Sequence, residues 1–181
     1  KAAKLYFGWF QDLFTHVARG DLTGAFSQAV IDKHWTYNHE HPVLVKTLFA
    51  LSWGVLKEQF GLFELSSSAL RFPAWLFSGL SVALVYAFSR ALQLTTLAST
   101  FAALLWITMP RVFWHAHLSC FDIAVCAAHL WLVLAYYKGR ASVAGAVTVG
   151  LAFGLAAAVK HNVLIAPAIF VCWLIGWLLL R

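Results

Sequence analysis

The sequence predicts an all-α, polytopic membrane protein, and three observations lead to that prediction. Hydrophobic residues make up 62% of the 181 residues and charged residues only 11%, which is a poor match to a water-soluble domain. Five apolar stretches of about 17–18 residues fill the second half of the chain, each about 26 Å long as a helix and near the lower limit for crossing the hydrocarbon core. Aromatic residues near the ends of the stretches suit the headgroup region. We therefore expect a bundle of five spanning helices, preceded by helices on the membrane surface.

The five predicted spans follow one another with short connections. Their ionisable residues sit mostly at the ends, where the side chains can reach water. The predicted bounds are Phe72–Ser89, Leu92–Met109, Phe121–Tyr137, Ser142–Val159 and Val163–Leu180.

Residues 1–71 are predicted to form shorter helices and an outer loop, separate from the bundle of residues 72–181. Apolar residues recur at helical spacing before Gly20, which ends the run. Asp21 is a candidate N-cap for a second short helix from about Leu22 to Lys33. Neither segment is long or apolar enough to span, so we expect both to lie at the interface.

A third surface helix is predicted from Val43 to about Phe60, after the turn Tyr37–Pro42. Pro42 suits the first helical position, because its missing N–H is not needed there. Leucines share one face of this helix, whereas Lys46 and Lys57 line up on the opposite, polar face. This amphipathic pattern favours an interfacial helix over a spanning one.

Basic residues between the spans predict the orientation of the chain. Arg90, Lys138, Arg140 and Arg181 lie in alternate connections, and cytoplasmic connections carry the excess of Lys and Arg. With this orientation three polar sets fall on the outer side, namely Asn38–His41, Arg111–Asp122 and Lys160–Asn162. Their convergence on one compartment is the strongest functional signal in the residues themselves.

Charge, cysteines and missing motifs exclude several function classes. The net charge of +6 forms no continuous basic patch, which argues against nucleic acid as a partner. The cysteines Cys120, Cys126 and Cys172 are too few for a disulfide framework and are expected to be core thiols. No P-loop, Rossmann glycine pattern, nucleophile elbow or CxxC pair occurs, so soluble nucleotide chemistry has no support.

His39, Glu40 and His41 place a carboxylate between two imidazoles at a helix start. A carboxylate can act as a general base or a metal ligand, and the free N–H groups of the helix start favour an anion. The histidine spacing is not specific for zinc, but a divalent metal held by Glu40 and His41 is left open. A solvated turn that caps the helix is the alternative.

Asp122 opens an otherwise apolar span and follows His115 and His117. An ionisable group at membrane depth indicates a functional site, whereas an aspartate at the interface can simply cap its helix. Both interpretations stay open. His129 lies about two turns further on nearly the same face and is expected to form a hydrogen bond between helices.

Several cations lie at the outer ends of the predicted spans. Lys160 follows a helix rich in small residues, and its ammonium can either hold a phosphate or extend to the interface. Arg71 and Arg111 have the same two interpretations, and His161 extends the polar group. Together these residues supply the charge to bind an anionic headgroup at the outer surface.

Four short motifs occur in an order that resembles a family of membrane enzymes. They are Glu40-His41-Pro42-Val43-Leu44, Leu70-Arg71-Phe72-Pro73-Ala74, Met109-Pro110 followed by Phe121-Asp122, and Gly154-Leu155-Ala156 with Val159-Lys160. From about Trp35 to Leu180 the chain is similar to the integral-membrane glycosyltransferases of the type C fold. The resemblance is to the dolichyl-phosphate-mannose-protein mannosyltransferase-like (family 39) group, which includes bacterial lipid A aminoarabinose transferases.

The resemblance implies that a sugar is transferred, with inversion, from a polyprenyl-phosphate donor to an acceptor lipid, glycan or protein. The reaction would take place at the outer, periplasmic or lumenal, face, and we expect a bacterial inner membrane with the site facing the periplasm. Glu40 and Asp122 are the predicted catalytic carboxylates, and Lys160 would approach the donor phosphate. The other predicted substrate-binding residues are His39, His41, Arg71, His115, His117 and His161.

Two departures from the family pattern bear on this assignment. The family's main catalytic acid, in an Asp-Glu type pair after its first transmembrane helix, has no counterpart after Lys1. We expect that acid upstream in a longer protein, and we expect the present chain alone to be inactive. Pro42 is followed by Val43 instead of a second proline, which leaves the subfamily open.

Two other functions remain open from the sequence. A secondary transporter would use Asp122, His129 and Lys160 as an ion path, although no inverted repeat is visible. A membrane assembly subunit would use its polar loops to bind a partner protein.

Overall fold

Every regular element is helical in the computed structural model, which describes residues 2–21, 23–139 and 142–180. The all-α class is therefore confirmed for this part of the chain. The α-helices are α1 Ala2–Ala18, α2 Gln28–Trp35, α3 Val43–Leu51, α4 Ser66–Ala91, α5 Thr96–Thr108, α6 Pro110–Ala116, α7 Asp122–Gly139, α8 Val143–Val159 and α9 Ala166–Leu179. A π-helix at Ser52–Gln59 and 3-10 turns at Gly24–Phe26 and His161–Ile165 complete the set.

Two segments are long and apolar enough to cross a membrane, Ser66–Ala91 with 26 residues and His161–Leu179 with 19. The pair α5 and α6 would be a third candidate, but the two helices meet at an angle of 68°. Helix α8 is apolar but has 17 residues, and α7 carries Asp122 and Lys138 near its ends. Two candidate spans fit a membrane protein, while the count of five spans stays a prediction.

The second predicted span differs most from the structure. Leu92 and Gln93 lie in a turn, where Gln93 adopts a φ of +66°, and α5 begins only at Thr96. Thr95 caps the helix, because its hydroxyl oxygen accepts the N–H of Ala98 at 3.2 Å. At the other end Pro110 starts α6 in a new direction, since proline cannot continue the preceding helix.

Helix α7 is the centre of the bundle, because it packs against α8 on one side and α4 on the other. The contact with α8 is built from small side chains, which let two helices approach closely. The buried core includes five alanines of α7 and α8, namely Ala124, Ala128, Ala135, Ala152 and Ala156. The closest approach is at the loop end, where a Cβ on Gly145 would lie 2.2 Å from the carbonyl oxygen of Gly139.

The outward faces of the bundle expose large apolar side chains. Trp75 on α4, Phe101 on α5 and Leu151 on α8 are exposed, and most of α9 is exposed as well. Helix α9 contacts α7 through Phe170, whose ring stacks on Tyr136 with 4.2 Å between centroids. Such continuous apolar surface is unfavourable in water and suited to lipid. The positive-inside residues Arg140 and Arg181 lie outside the described residues.

The first three helices pack on one another at the end of the bundle where α4 begins. Buried His34 of α2 connects to α1 through both ring nitrogens: Nδ1 lies 2.8 Å from the Leu5 carbonyl oxygen and Nε2 lies 2.8 Å from Asp12 Oδ2. Both atoms face acceptors, so only an imidazolium donates to both. Hydrogen bonds from Lys33 and His34 hold the pKa of Asp12 below its usual value of 3.8.

The predicted end of α1 agrees with the structure, whereas the predicted start of the second helix does not. Helix α1 ends at Ala18, and Gly20 adopts a φ of +74°. Asp21 Oδ1 accepts the N–H of Gly24 at 2.8 Å and so caps the 3-10 turn. The next α-helix then begins at Gln28. The expected start at Leu22 lies outside the described residues.

The helix predicted from Val43 to Phe60 changes its geometry half-way. It is α-helical to Leu51 and a π-helix from Ser52, with Pro42 as the residue before its first turn. Gly54 allows α1 to approach the π-helix, because a Cβ there would lie 2.2 Å from Phe7 Cδ2. The hydroxyl of Ser52 donates to the carbonyl oxygen of Ala69 at 2.5 Å and fixes the π-helix to α4.

The close contact between α7 and α8 is testable with two glycines of one helix. We expect Gly145→Ala to destabilise the protein by about 1–3 kcal/mol, because the new methyl group would meet the backbone of Gly139. Gly150→Ala is the matched control, since nothing lies within 4 Å of its Cβ position. It should raise stability by about 0.4–1 kcal/mol. Thermal unfolding in detergent measures both, and equal effects would contradict the packing described.

Candidate functional site

The turn Tyr37–Pro42 is fixed by two side chains that donate to its backbone. Tyr6 Oη donates to the Tyr37 carbonyl oxygen at 2.6 Å, and Lys46 Nζ donates to the Asn38 carbonyl oxygen. Burial raises the pKa of the Tyr6 hydroxyl, so it remains a donor. Asn38 itself adopts a φ of +53°, a left-handed conformation that asparagine tolerates better than most residues. The two bonds position the Glu40–His41 segment relative to α1 and α3.

Lys46 is the functional candidate that the sequence analysis missed. It was placed on a polar face with Lys57, but the structure buries it to 2% exposure. The correction arises because α1 covers this face: the Tyr6 ring centroid lies 5.7 Å from the Lys46 ammonium. No carboxylate of the described residues lies within 4.0 Å of that ammonium. Burial lowers its pKa, and the more distant charge of Glu40 acts in the opposite direction.

A cavity of 170 Å³ lies beside Lys46, and we refer to it as the lysine cavity. Helices α1, α3 and α4 and the loop before α7 contribute to its wall. Its lining includes Tyr6, Asn38, Lys46, Phe49, Ser119 and Phe121. The His41 ring also contacts the Phe121 ring, with 5.0 Å between centroids. The structure thus brings the predicted sets Asn38–His41 and Arg111–Asp122 together at this cavity.

Glu40 lies between the two neighbouring imidazoles, as the sequence suggests. Its carboxylate oxygens are 3.9 Å from His39 Nδ1 and 3.9 Å from His41 Nε2. Both distances are too long for hydrogen bonds, and Glu40 is exposed. The carboxylate is therefore free to accept a proton from a bound hydroxyl. In the described part of the chain no third ligand joins Glu40 and His41 within 4.8 Å, so the predicted metal pair stays incomplete.

The second predicted carboxylate, Asp122, opens α7 and is exposed. Its Oδ2 lies 3.3 Å from Nδ1 of His115, which was predicted beside it. Cys120 was expected to be a core thiol, but its Sγ lies 3.6 Å from the same His115 nitrogen. Burial raises the pKa of the Cys120 thiol. These three side chains form a cluster of possible metal ligands whose ligand atoms all lie within 4.8 Å of one another.

Two predicted histidines use a ring nitrogen within their own helices. His117 Nδ1 donates to the Phe113 carbonyl oxygen at 2.7 Å, and the two rings lie 4.5 Å apart at an angle of 44°. His129 Nδ1 donates to the Val125 carbonyl oxygen at 2.8 Å. We expected His129 to bond to another helix. This prediction is wrong for Nδ1, which bonds to a carbonyl oxygen of the same helix. Its ring lines a separate cavity of 370 Å³.

The remaining predicted cations have no described contact with the lysine cavity. Lys160 is half-buried at the end of α8, between Val159 and Val163, which belong to the same buried cluster as Val45 of α3. His161, Arg71 and Arg111 are exposed. Their substrate-binding roles stay predictions.

An apolar groove of 480 Å³ lies between the α3–π-helix segment and α4. Leu48, Leu51 and Val55 line one side, and Phe72 and Leu76 line the other. The polar side chain in its wall is Ser52, whose hydroxyl is already bonded to α4. Helix α3 contributes to both spaces, because Phe49 lines the lysine cavity and Leu48 lines the groove.

No protein family, curated protein or solved structure matches this chain. Interpretation of the site therefore rests on its own residues.

The convergence of polar segments is testable by their accessibility. We expect single cysteines at positions 39, 115 and 161 to react with an impermeant thiol reagent from one side of the membrane, and a cysteine at 138 from the other. The native cysteines would first be replaced by serine or alanine. Labelling of 39 and 115 from opposite sides would mean that the α3–π-helix segment spans the membrane.

Burial of Lys46 predicts a specific dependence of stability on pH. Because its pKa in the folded protein lies below its usual 10.5, the unfolded chain binds a proton that the folded chain lacks between these two values. Stability should therefore rise as pH rises through that window. Lys46→Met should abolish the rise and should maintain or raise stability at neutral pH, since it removes a buried charge.

The measurement is chemical unfolding in detergent from neutral pH to about 9, below the range where tyrosines titrate. Lys57→Met is the control, because that ammonium is partly exposed and pairs with Glu58 at 2.7 Å. The control should retain the wild-type slope. A Lys46→Met protein with an unchanged slope would show that the ammonium is hydrated rather than buried.

Proposed function

We propose that this protein is a membrane glycosyltransferase that takes its sugar from a polyprenyl-phosphate donor at the outer, periplasmic face of the membrane. The proposal includes the five-span, type C arrangement expected from the sequence. One observation carries it most strongly: a buried lysine without a carboxylate partner lines a cavity between Asn38, in the same turn as Glu40, and the Ser119–Phe121 loop. A buried ammonium without a counter-ion is unfavourable unless a ligand supplies the negative charge.

The shape of the surroundings supports a donor with an apolar tail and an anionic head. The apolar groove offers a continuous wall of Leu, Val and Phe side chains for a polyprenyl chain. The lysine cavity lies on the same helix α3, with Phe49 and Lys46 in its wall. A phosphate beside Lys46 would complete its charge, and a charge-assisted hydrogen bond to the ammonium would fix its orientation.

The chemistry follows from the carboxylate next to this position. Glu40 would take the proton of the acceptor hydroxyl or amine while that atom forms a bond to the anomeric carbon. The bond between the anomeric carbon and the phosphate oxygen breaks, and the electron pair leaves with the polyprenyl phosphate. Lys46 would stabilise the charge that develops on this leaving group. Attack opposite to the departing phosphate inverts the anomeric centre.

Lys160 and Asp122 have less direct roles in this arrangement than the sequence suggests. Lys160 remains a second candidate for the phosphate, because it is half-buried near the α3 end of the bundle. Asp122 remains the alternative base, although it already pairs with His115.

A transporter is the second candidate function, and one observation favours it. His129 and Asn162 line the same 370 Å³ cavity between apolar side chains. However, the described contacts include no link from His129 to Asp122 or Lys160, which a continuous proton path needs. Uptake of the polyprenyl-phosphate sugar or of ions into proteoliposomes, without sugar transfer, would favour this alternative.

The proposal is tested by donor binding to the purified protein in lipid nanodiscs. Lys46→Gln should weaken the binding of a polyprenyl-phosphate-mannose by about 10- to 150-fold, the range that corresponds to a charge-assisted contact of about 1.5–3 kcal/mol. Lys46→Arg should retain part of the affinity. Binding of the uncharged polyprenol should change little, because it depends on the groove alone.

Donor binding by Lys160→Gln is measured in parallel, because Lys160 is the second candidate for binding the phosphate. If Lys160→Gln weakens donor binding and Lys46→Gln does not, the phosphate binds at the end of α8, as the family resemblance implies. Wild-type affinity in both variants, or equal affinity of the wild type for polyprenol and for the phosphate-linked sugar, would contradict the proposal. Thermal unfolding of each variant controls for misfolding.

A further inference from the structure

Three different metal-ligand types meet where α6 turns into α7. His115 lies in the last turn of α6, Cys120 lies in the loop between α6 and α7, and Asp122 is the first residue of α7. His115 Nδ1 is 3.3 Å from Asp122 Oδ2 and 3.6 Å from Cys120 Sγ. The three ligand atoms all lie within 4.8 Å of one another.

We propose that His115, Cys120 and Asp122 bind a zinc ion whose fourth coordination position is open. The two measured separations match the edges of a tetrahedral zinc site. Zinc bonds of about 2.0–2.1 Å to nitrogen or oxygen and about 2.3 Å to sulfur, at tetrahedral angles, place nitrogen and oxygen about 3.3 Å apart. The same bonds place nitrogen and sulfur about 3.6 Å apart. The third separation, between the Cys120 and Asp122 ligand atoms, is within 4.8 Å.

The ligand chemistry selects zinc over the common hard cations. A thiolate is a soft ligand that magnesium and calcium do not favour, whereas zinc accepts sulfur, nitrogen and oxygen together. A thiolate, a carboxylate and a neutral imidazole also balance the two charges of the ion. Electrical neutrality is an advantage near the apolar bundle, because a net charge is costly to move out of water.

The exposure of the cluster indicates where the fourth ligand would enter. His115 and Cys120 are half-buried, whereas the Asp122 side chain is 51% exposed. An ion held by these residues is therefore closed on the α6 side and open on the Asp122 side. Three protein ligands with an accessible position are the arrangement of zinc sites that bind water or an anionic oxygen.

This zinc site goes beyond the proposed glycosyl transfer and does not depend on it. Glu40 and Lys46 lie outside the cluster, so either proposal can fail without the other.

The test begins with the purified protein after treatment with a chelator. It should bind one zinc ion per chain, measured by elemental analysis after removal of free metal. Cobalt should replace zinc and give the intense visible bands of four-coordinate cobalt, with a near-ultraviolet band from sulfur-to-cobalt charge transfer. Cys120→Ser should abolish the charge-transfer band. Cys126→Ser is the matched control, because this half-buried cysteine of α7 lies outside the cluster, and it should retain the band.

The other two ligands are tested by metal affinity. His115→Gln and Asp122→Asn should each weaken zinc binding by more than about 100-fold, since even partners of metal ligands are typically worth 10- to 100-fold. His117→Gln is the control, because its Nδ1 is already bonded to the Phe113 carbonyl oxygen. Absence of stoichiometric metal, a cobalt spectrum without sulfur ligation, or equal affinities in all variants would overturn the proposal.

A measurement on the unaltered protein covers the case in which variants do not fold. Zinc should slow the reaction of Cys120 with a thiol reagent and should leave Cys172 unaffected, because Cys172 is exposed on α9. Mass spectrometry of the labelled peptides distinguishes the cysteines. An unchanged rate at Cys120 with saturating zinc would contradict metal binding there.

Discussion

The close contact of α7 with α8 is the constraint on which the rest of the structure depends. Small side chains make this contact, because lipid is as apolar as leucine and helices in a membrane gain more from close packing than from burying large residues. Gly139 and Gly145 bring the backbones together at one end, and alanines continue the contact along the helices. With α7 fixed in this way, Ile123 packs against Ala74 of α4. The start of α7, with Asp122 and the loop before it, thereby gains a defined position beside α3 and α4.

Helices α1 to α3 are held together by a different kind of interaction. Their buried polar groups can be paired in few arrangements of the helices. Both ring nitrogens of His34 lie 2.8 Å from oxygens of α1, and Lys46 and Tyr6 donate to the backbone of the turn before α3. A buried donor without its acceptor is costly, so each pair selects one arrangement of the helices. The bundle is therefore held by close contacts between apolar surfaces. Helices α1 to α3 are held by hydrogen bonds, and the lysine cavity lies where these helices meet the bundle.

Sequence patterns predicted most helices, because periodicity and punctuation are local properties. Gly20 marks the end of α1 in the structure as well, whereas α6, which begins at Pro110, lies where no helix was predicted. The prediction that Lys46 lies on an exposed polar face was wrong. Periodicity assigns residues to faces of a helix, but it does not show that α1 will cover one of these faces. His115 and Asp122 were found as candidates, whereas Cys120 was interpreted as a core thiol. Its distance from His115 depends on the loop conformation, which no local pattern encodes.

The lysine cavity and the proposed zinc site are two sides of one loop. Alternate residues of this loop serve different sites: Ser119 and Phe121 line the cavity, whereas Cys120 and Asp122 belong to the metal-ligand cluster. An ion that fixed Cys120 and Asp122 to His115 would also fix the backbone between them, and with it the cavity wall at Phe121. Since the His41 ring contacts Phe121, the same ion would also restrict the motion of the Glu40 turn. The lysine cavity does not require the ion, because neither Lys46 nor Glu40 belongs to the metal-ligand cluster.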